Sequence, residues 1–283
     1  MTLAQPVPAV GRSVASEAEP TRLRQFASVL RAEWTKLWSV RSTLWSLLVT
    51  VAIIVGLGAL FCAARVARAN HLDVGNRVFF DSTGFSMNGI YLAQLAVGVL
   101  GVLVMSSEYA TGQIRATFGA TPQRHVVLAA KVLVFVTVVF CIGLASCFAA
   151  FFLGQHILSG APTLHHSAIG DPGALRAVFG GAMYLAVLGA LGVGLATLVR
   201  RTAGAIATLV GLLLILPILV GFLPSPWDSD IGRFLPLEAG SNIFRTILTS
   251  SSDLSLWTGF AVFCAYAAVS LALGAVLLKY RDA

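Results

Sequence analysis

The chain has 283 residues, of which 57% are hydrophobic and 11% charged, with a mean hydropathy of +0.86. A soluble domain carries about 25% charged residues, so a soluble enzyme or binding module is not expected. The formal net charge of +7 suits Lys and Arg placed beside apolar spans, where they set orientation and meet anionic headgroups, better than a nucleic-acid surface.

Residues 1–21 are rich in Ala, Pro, Val and Glu and contain no long apolar run. They read as a disordered cytoplasmic tail rather than a signal peptide. In residues 22–41, Leu23, Phe26, Ala27, Leu30, Trp34, Leu37 and Trp38 recur at helical spacing, with Arg22, Arg24, Ser28, Arg31, Glu33 and Lys36 between them. This predicts an amphipathic helix lying on a membrane surface, with Arg31 and Lys36 among the headgroups and Trp34 and Trp38 at their level.

Residues 42–283 then hold six apolar stretches, at about 43–64, 84–107, 126–153, 177–199, 203–223 and 256–278. At ~1.5 Å per residue each covers about 30 Å or more, the thickness of a hydrocarbon core. The expected fold is an all-α integral membrane protein with six transmembrane helices, no ionised side chain inside them, and no segment long enough for a soluble catalytic domain. Span four carries Ala186, Ala190 and Gly194 at four-residue intervals, with Gly181, Gly189 and Gly192 beside them. Small residues at that spacing let helices approach closely, at a subunit interface or within one bundle. Pro217 is expected to bend span five. The four cysteines fall in spans and read as packing residues.

The connection Ser106–Lys131, SSEYATGQIRATFGATPQRHVVLAAK, is the most structured one. Residues 107–118 predict a short helix with Glu108 in its first turn, where the helix dipole favours an anion. Glu108 and Arg115 are then on one face, Gly119 ends the helix, and Thr121-Pro122 starts the next. Such a block, fused to two spans, would move both when pushed. An ordinary loop whose cations obey the positive-inside rule accounts for the same residues, and the physics alone leaves both readings open.

Several functions find no support in the residues. No GxxxxGK[ST] loop is present, so ATP hydrolysis by that mechanism requires another polypeptide. Spans without ionisable residues argue against coupling to an ion gradient. His165-His166 lacks an HExxH context and no GxSxG occurs, so neither a metal site nor a membrane-embedded enzyme is expected.

Three segments resemble the ABC-2-type permease family of ABC transporters, and its actinobacterial members in particular: RAEWTKLWSVRSTLWSLL (31–48), EYATGQIRATFGATPQRHVVLAAK (108–131) and FLPLEAGSNIF (234–244). The resemblance covers roughly residues 25–280. It implies a six-span permease subunit in the cell membrane, paired with a second permease chain as a homodimer or heterodimer. Separate ATPase subunits beneath would hold the ATP and Mg, with no cofactor on this chain. It further implies that Glu108, Tyr109, Thr111, Gly112, Arg115 and Phe118 belong to the coupling helix that docks on the ATPase, and that Arg31 or Lys36 braces Glu108 from the N-terminal helix. The segment Leu235–Leu248 would dip into the membrane as an external gate, with Leu235 and Pro236 at its start and Ile243, Phe244, Ile247 and Leu248 on its apolar face. An apolar, charge-free interior suits export of a hydrophobic or amphiphilic compound. The alternatives are a secondary transporter, a membrane-embedded enzyme, or an assembly subunit without a pathway.

With the N-terminus inside, eleven Lys and Arg near span ends fall on the cytoplasmic side and six outside. A reporter fused after Ala283 is therefore expected to stay cytoplasmic, while one inserted at Pro162 is exported. The reverse pattern would invert the topology.

Overall fold

The computed structural model describes residues 22–71, 73, 75, 80–120, 123–247 and 254–280. The expected tail 1–21, Thr121-Pro122, Arg77 and Leu248 lie outside the described residues, as do the side chains of Arg115 and Phe118.

All regular structure among the described residues is helical. Six helices are long and apolar enough to cross a membrane: α2 (Arg41–Ala67), α4 (Ile90–Ala110), α6 (Arg124–Ser159), α7 (Ala174–Val199), α8 (Thr202–Val220) and α11 (Leu256–Tyr280). They are compatible with a multi-pass membrane protein. Around them lie α1 (Arg22–Ser39), α3 (Ser82–Ser86), α5 (Gln113–Ala120), α9 (Trp227–Gly232) and α10 (Pro236–Ser241).

α7 is the axis of the bundle. It packs against α4, α6 and α11, and 78% of its most apolar stretch is buried, against 22% for α8. Its small residues make this possible. A Cβ on Gly101 of α4 would come within 2.4 Å of the Gly189 carbonyl oxygen, and a Cβ on Gly192 within 2.5 Å of the Gly98 carbonyl oxygen. Backbone meets backbone here, and Gly194 lies against Ser270 of α11, so these glycines pack within the chain. Lined up behind them are Leu185, Leu188 and Tyr184, all fully buried.

Two boundaries differ from the expectation. The second spanning helix starts at Ile90, not near Gly84. Asp81 Oδ1 accepts the Gly84 amide proton at 2.7 Å and caps the separate helix α3. The chain then turns through Met87–Gly89, where Gly89 lies against the carbonyls of Ile53 and Ile54. α6 runs on to Ser159 and has 36 residues. At ~1.5 Å per residue it is about 54 Å long, well beyond a hydrocarbon core. Near Pro217 the helix widens into a π turn at Gly211–Ile215. Proline offers no amide proton to the preceding turn, and a π turn is one way a helix absorbs that loss.

At the end of the bundle away from α1, the chain folds back inward through α10 and a 3-10 turn, Asn242–Phe244. Leu235, Pro236, Ile243 and Phe244 are buried. The Phe244 ring packs edge-on against Tyr91 and Tyr184, and Tyr184 donates a hydrogen bond to Gln94. Ile247 is exposed, so Ile243, Phe244 and Ile247 do not share one face as expected. Arg176 explains the inward turn: it donates to the carbonyls of Ile243 at 2.8 Å and Arg245 at 3.0 Å. Asp81 accepts from the Thr246 amide at 2.7 Å. The non-helical backbone of this inward-folded segment is thereby satisfied by protein.

Gly101→Leu is expected to force α4 and α7 apart, with overpacking of at least 1–3 kcal/mol seen as a lower unfolding midpoint and loss of the monodisperse peak in detergent. Gly56→Leu, where a Cβ meets nothing within 4 Å, should change neither.

Candidate functional site

α1 is held to the bundle by a stripe at four-residue spacing: Val29, Glu33 and Leu37, all buried. Val29 packs with Val127 and Ala130 of α6. Trp34 and Trp38 point away, exposed, with ring centroids 5.7 Å apart. The expected apolar face is thus two: Leu37 enters the core while Trp38, its neighbour, faces outward. A carboxylate occupies the middle of the buried stripe.

Glu33 is buried because it has partners. Lys131 Nζ on α6 lies 2.6 Å from Glu33 Oε2 and 2.8 Å from Glu108 Oε1. Lys36 Nζ lies 2.8 Å from Glu33 Oε1 and 3.0 Å from Glu108 Oε1. Each carboxylate touches both ammonium groups, so the four form a closed ring with no net charge. The side chains of Glu33 and Lys131 are 4% exposed and that of Glu108 6%. Burial at this level is tolerated for ions when they are paired and hydrogen-bonded. Glu108 Oε2 is buried without a hydrogen-bond partner among the described residues, and both cations share Oε1. Lys36 is the ring's half-open member. Burial pulls its pKa down, but the hydrogen bonds to Glu33 and Glu108 and their charges outweigh that and hold it above the ordinary 10.5. The Lys36 contribution is therefore present at neutral pH and lost only as pH rises through that raised value.

The ring overturns two expectations and completes a third. Glu108 is not in the first turn of a coupling helix. α4 continues through it to Ala110, so Glu108 sits in a last turn, where the dipole disfavours an anion; Lys36 and Lys131 compensate. Spans without ionised groups are also not what folds: Glu108 and Lys131 lie inside helices long enough to cross a membrane, near their ends. Of the two braces expected for Glu108, Lys36 makes the contact, and Lys131 joins it. No ion pair joins Arg31 to it among the described residues, and Arg31 is exposed.

The chain leaves α4 at Thr111-Gly112. Gly112 has φ of 72°, a left-handed turn that glycine adopts at little cost. α5 follows, so Glu108 and Arg115 belong to different helices and do not share a helical face. Ile114 anchors α5 in the core, and Lys36 Nζ reaches Thr117 Oγ1 at 3.4 Å. Thus α1, α4, α5 and α6 converge on one ammonium-carboxylate ring. Thr111 and Gly112 are exposed. Tyr109 turns inward instead, half-buried, with the Arg200 guanidinium 5.5 Å from its ring centroid. Beside the ring is a cavity of about 260 Å³ whose walls include Ser42, Thr43, Ser107 and Gln113.

Glu33 and Lys131 were missed as site residues. Both carried a signal: Glu33 shares the i, i+4 register of Val29 and Leu37, and Lys131 interrupts the run VVLAAKVLVF. Neither register nor interruption names a partner. Ring members 98 and 72 residues apart in sequence meet only in the fold.

Comparison with models of known protein families and with curated proteins finds no match to this chain.

Lys131→Met leaves two buried carboxylates with one half-exposed cation. Removing one partner of a buried ion pair costs about 3–5 kcal/mol, so a markedly lower unfolding midpoint is expected. Adding Glu33→Gln to Lys131→Met, which leaves Glu108 paired with Lys36, should recover part of it. A Lys131→Met protein as stable as the parent would show that the ring does not hold the helices together.

Proposed function

We propose that this chain is the membrane-spanning permease subunit of an ATP-driven transporter in the cell membrane. Both termini are cytoplasmic, and the chain pairs with a second permease chain and with separate ATPase subunits that bind ATP and Mg. It exports a hydrophobic or amphiphilic compound and is itself neither an ATPase nor another enzyme. One observation carries this reading: α5, a short helix, hangs by a glycine turn between two spanning helices and is tied to α1 through the charge ring. A push on α5 reaches α1, α4 and α6 together, as energy input from a partner requires.

In this reading α5 is the coupling helix, with Thr111, Gly112, Arg115 and Phe118 as its docking residues. Glu108 and Tyr109 act behind it, as brace and support. α1 is the interfacial helix. Its outward Trp34 and Trp38 suit a headgroup layer, and its buried stripe binds it to α6. The segment from Leu235 to Phe244 closes the external end, supported by the inward packing of Phe244 on Tyr91 and Tyr184. The apolar export substrate is supported by the described core, whose middle is lined almost wholly by Leu, Ile, Val, Ala and Phe.

The ring favours one second reading. Buried Lys131 and Glu108 are ionisable groups of the kind that ion-coupled transporters place within the membrane. Their mutual neutralisation favours the structural role.

Purification of the tagged chain in mild detergent, followed by mass spectrometry, tests the proposal. A stoichiometric partner bearing a GxxxxGK[ST] loop is expected, and Arg115→Glu should deplete it without lowering membrane insertion. A chain that purifies alone and transports only under an ion gradient would overturn the ATP-driven reading in favour of the second.

A further inference from the structure

At the α1 end of the bundle, three distant parts of the chain meet: the start of α6, the corner between α7 and α8, and the last turn of α11. Arg124 Nη1 donates to the Leu278 carbonyl at 2.8 Å and Arg200 Nη2 to the Leu277 carbonyl at 3.3 Å. The carbonyls of a last turn have no helical N–H to accept, and cations are favoured there. Capping α11 in this way brings Arg124 and His125 alongside Lys279. Between them is a cavity of about 600 Å³, lined by Gln123, Arg124, His125 and Lys279 on its polar side and by Ala275 and Val276 on the other. Among the described residues, no acidic side chain lines it. From Val276 an exposed apolar strip continues along α11 through Leu273 and Val269, at three- and four-residue spacing and so on one face.

We infer that this cavity seats the headgroup of an anionic phospholipid. Arg124 and Lys279 face its phosphate, His125 and Gln123 add hydrogen-bonding groups, and an acyl chain lies along Val276, Leu273 and Val269. A guanidinium and an ammonium are the side chains suited to phosphate. Cations at the mouth of a groove and an apolar strip leading away from them match the two halves of one amphiphile. A free phosphate would use only the mouth, and an acidic protein surface would leave the strip unmatched. The inference rests on the membrane-spanning part of the proposed function and not on the ATPase partner.

The test titrates the full chain in detergent with phosphatidylglycerol or phosphatidylcholine and counts bound lipid by native mass spectrometry. One phosphatidylglycerol per chain is expected, at concentrations at least about tenfold below those needed for phosphatidylcholine, since each cation near an anionic headgroup changes affinity roughly fivefold. Lys279→Gln with His125→Gln, which leaves the capping Arg124 in place, should reduce the preference about fivefold. Arg68→Gln with His71→Gln, at exposed positions of the opposite end of the bundle, should leave it intact. Equal binding of the two lipids, or equal loss in that distant variant, overturns the site. So does displacement of the lipid by inorganic phosphate, which would make it a free-anion site, or retention by polyglutamate with no lipid preference, which would make it a protein contact. A chain that stays monodisperse in water without detergent overturns the membrane reading as well; one that needs detergent but shows no lipid preference overturns this inference alone.

Discussion

The contact between the backbones of α7 and α4 is what the rest of the bundle depends on. Helices surrounded by lipid gain little from hiding apolar surface from one another, because the lipid is equally apolar. Association then rests on close packing and on the few polar contacts available. Gly101 against Gly189 and Gly192 against Gly98 let two backbones touch where any side chain would hold them apart. Once α7 sits there, its other faces are available to α6 and α11, and the relative placement of α4 and α6 follows. That placement brings Glu108 and Lys131 together from positions 23 residues apart.

The polar contacts are divided between the two ends. At one end the ring of Glu33, Lys36, Glu108 and Lys131 fastens α1 and α5 to α4 and α6. At the other, Asp81, Arg176 and the Arg245–Tyr91 hydrogen bond, at 2.7 Å, hold the inward-folded segment in place. The middle is apolar apart from a few pairs such as Tyr184 with Gln94. Ion pairs near the ends of apolar helices are less costly than the same pairs at mid-span. They also connect the bundle to the short helices at its surface, which are the elements a partner would reach.

This division has a mechanical consequence. α5 is linked to α4 by a turn at Gly112 and to α1 by a hydroxyl contact to Lys36, a ring member. Its motion is therefore not independent of α1, although the two are far apart in the chain. The opposite end is anchored both through backbone carbonyls and amides of the segment, held by Arg176 and Asp81, and through the Arg245 side chain on Tyr91.

Much of the helical framework was legible in the residues. Length and hydropathy determined that six segments form helices able to cross a membrane, because apolar composition over about 20 residues is a local property that any window reveals. The small residues of span four announced close helix contacts, although the backbone contact with α4 falls at Gly189 and Gly192 and not on the stripe of Ala186, Ala190 and Gly194; Lys36 was recognised as a partner for Glu108. The residues alone begin the second helix near Gly84 and put Glu108 in a first turn, and both are wrong. The true start depended on Asp81 capping α3 and on Gly89 meeting α2, contacts that no local window contains. The identity of Glu33 and Lys131 as buried partners was decided by tertiary structure for the same reason. A lone ion in an apolar stripe is unfavourable until its counterion arrives, and the counterion is chosen by how α1, α4 and α6 pack, not by spacing along any one of them.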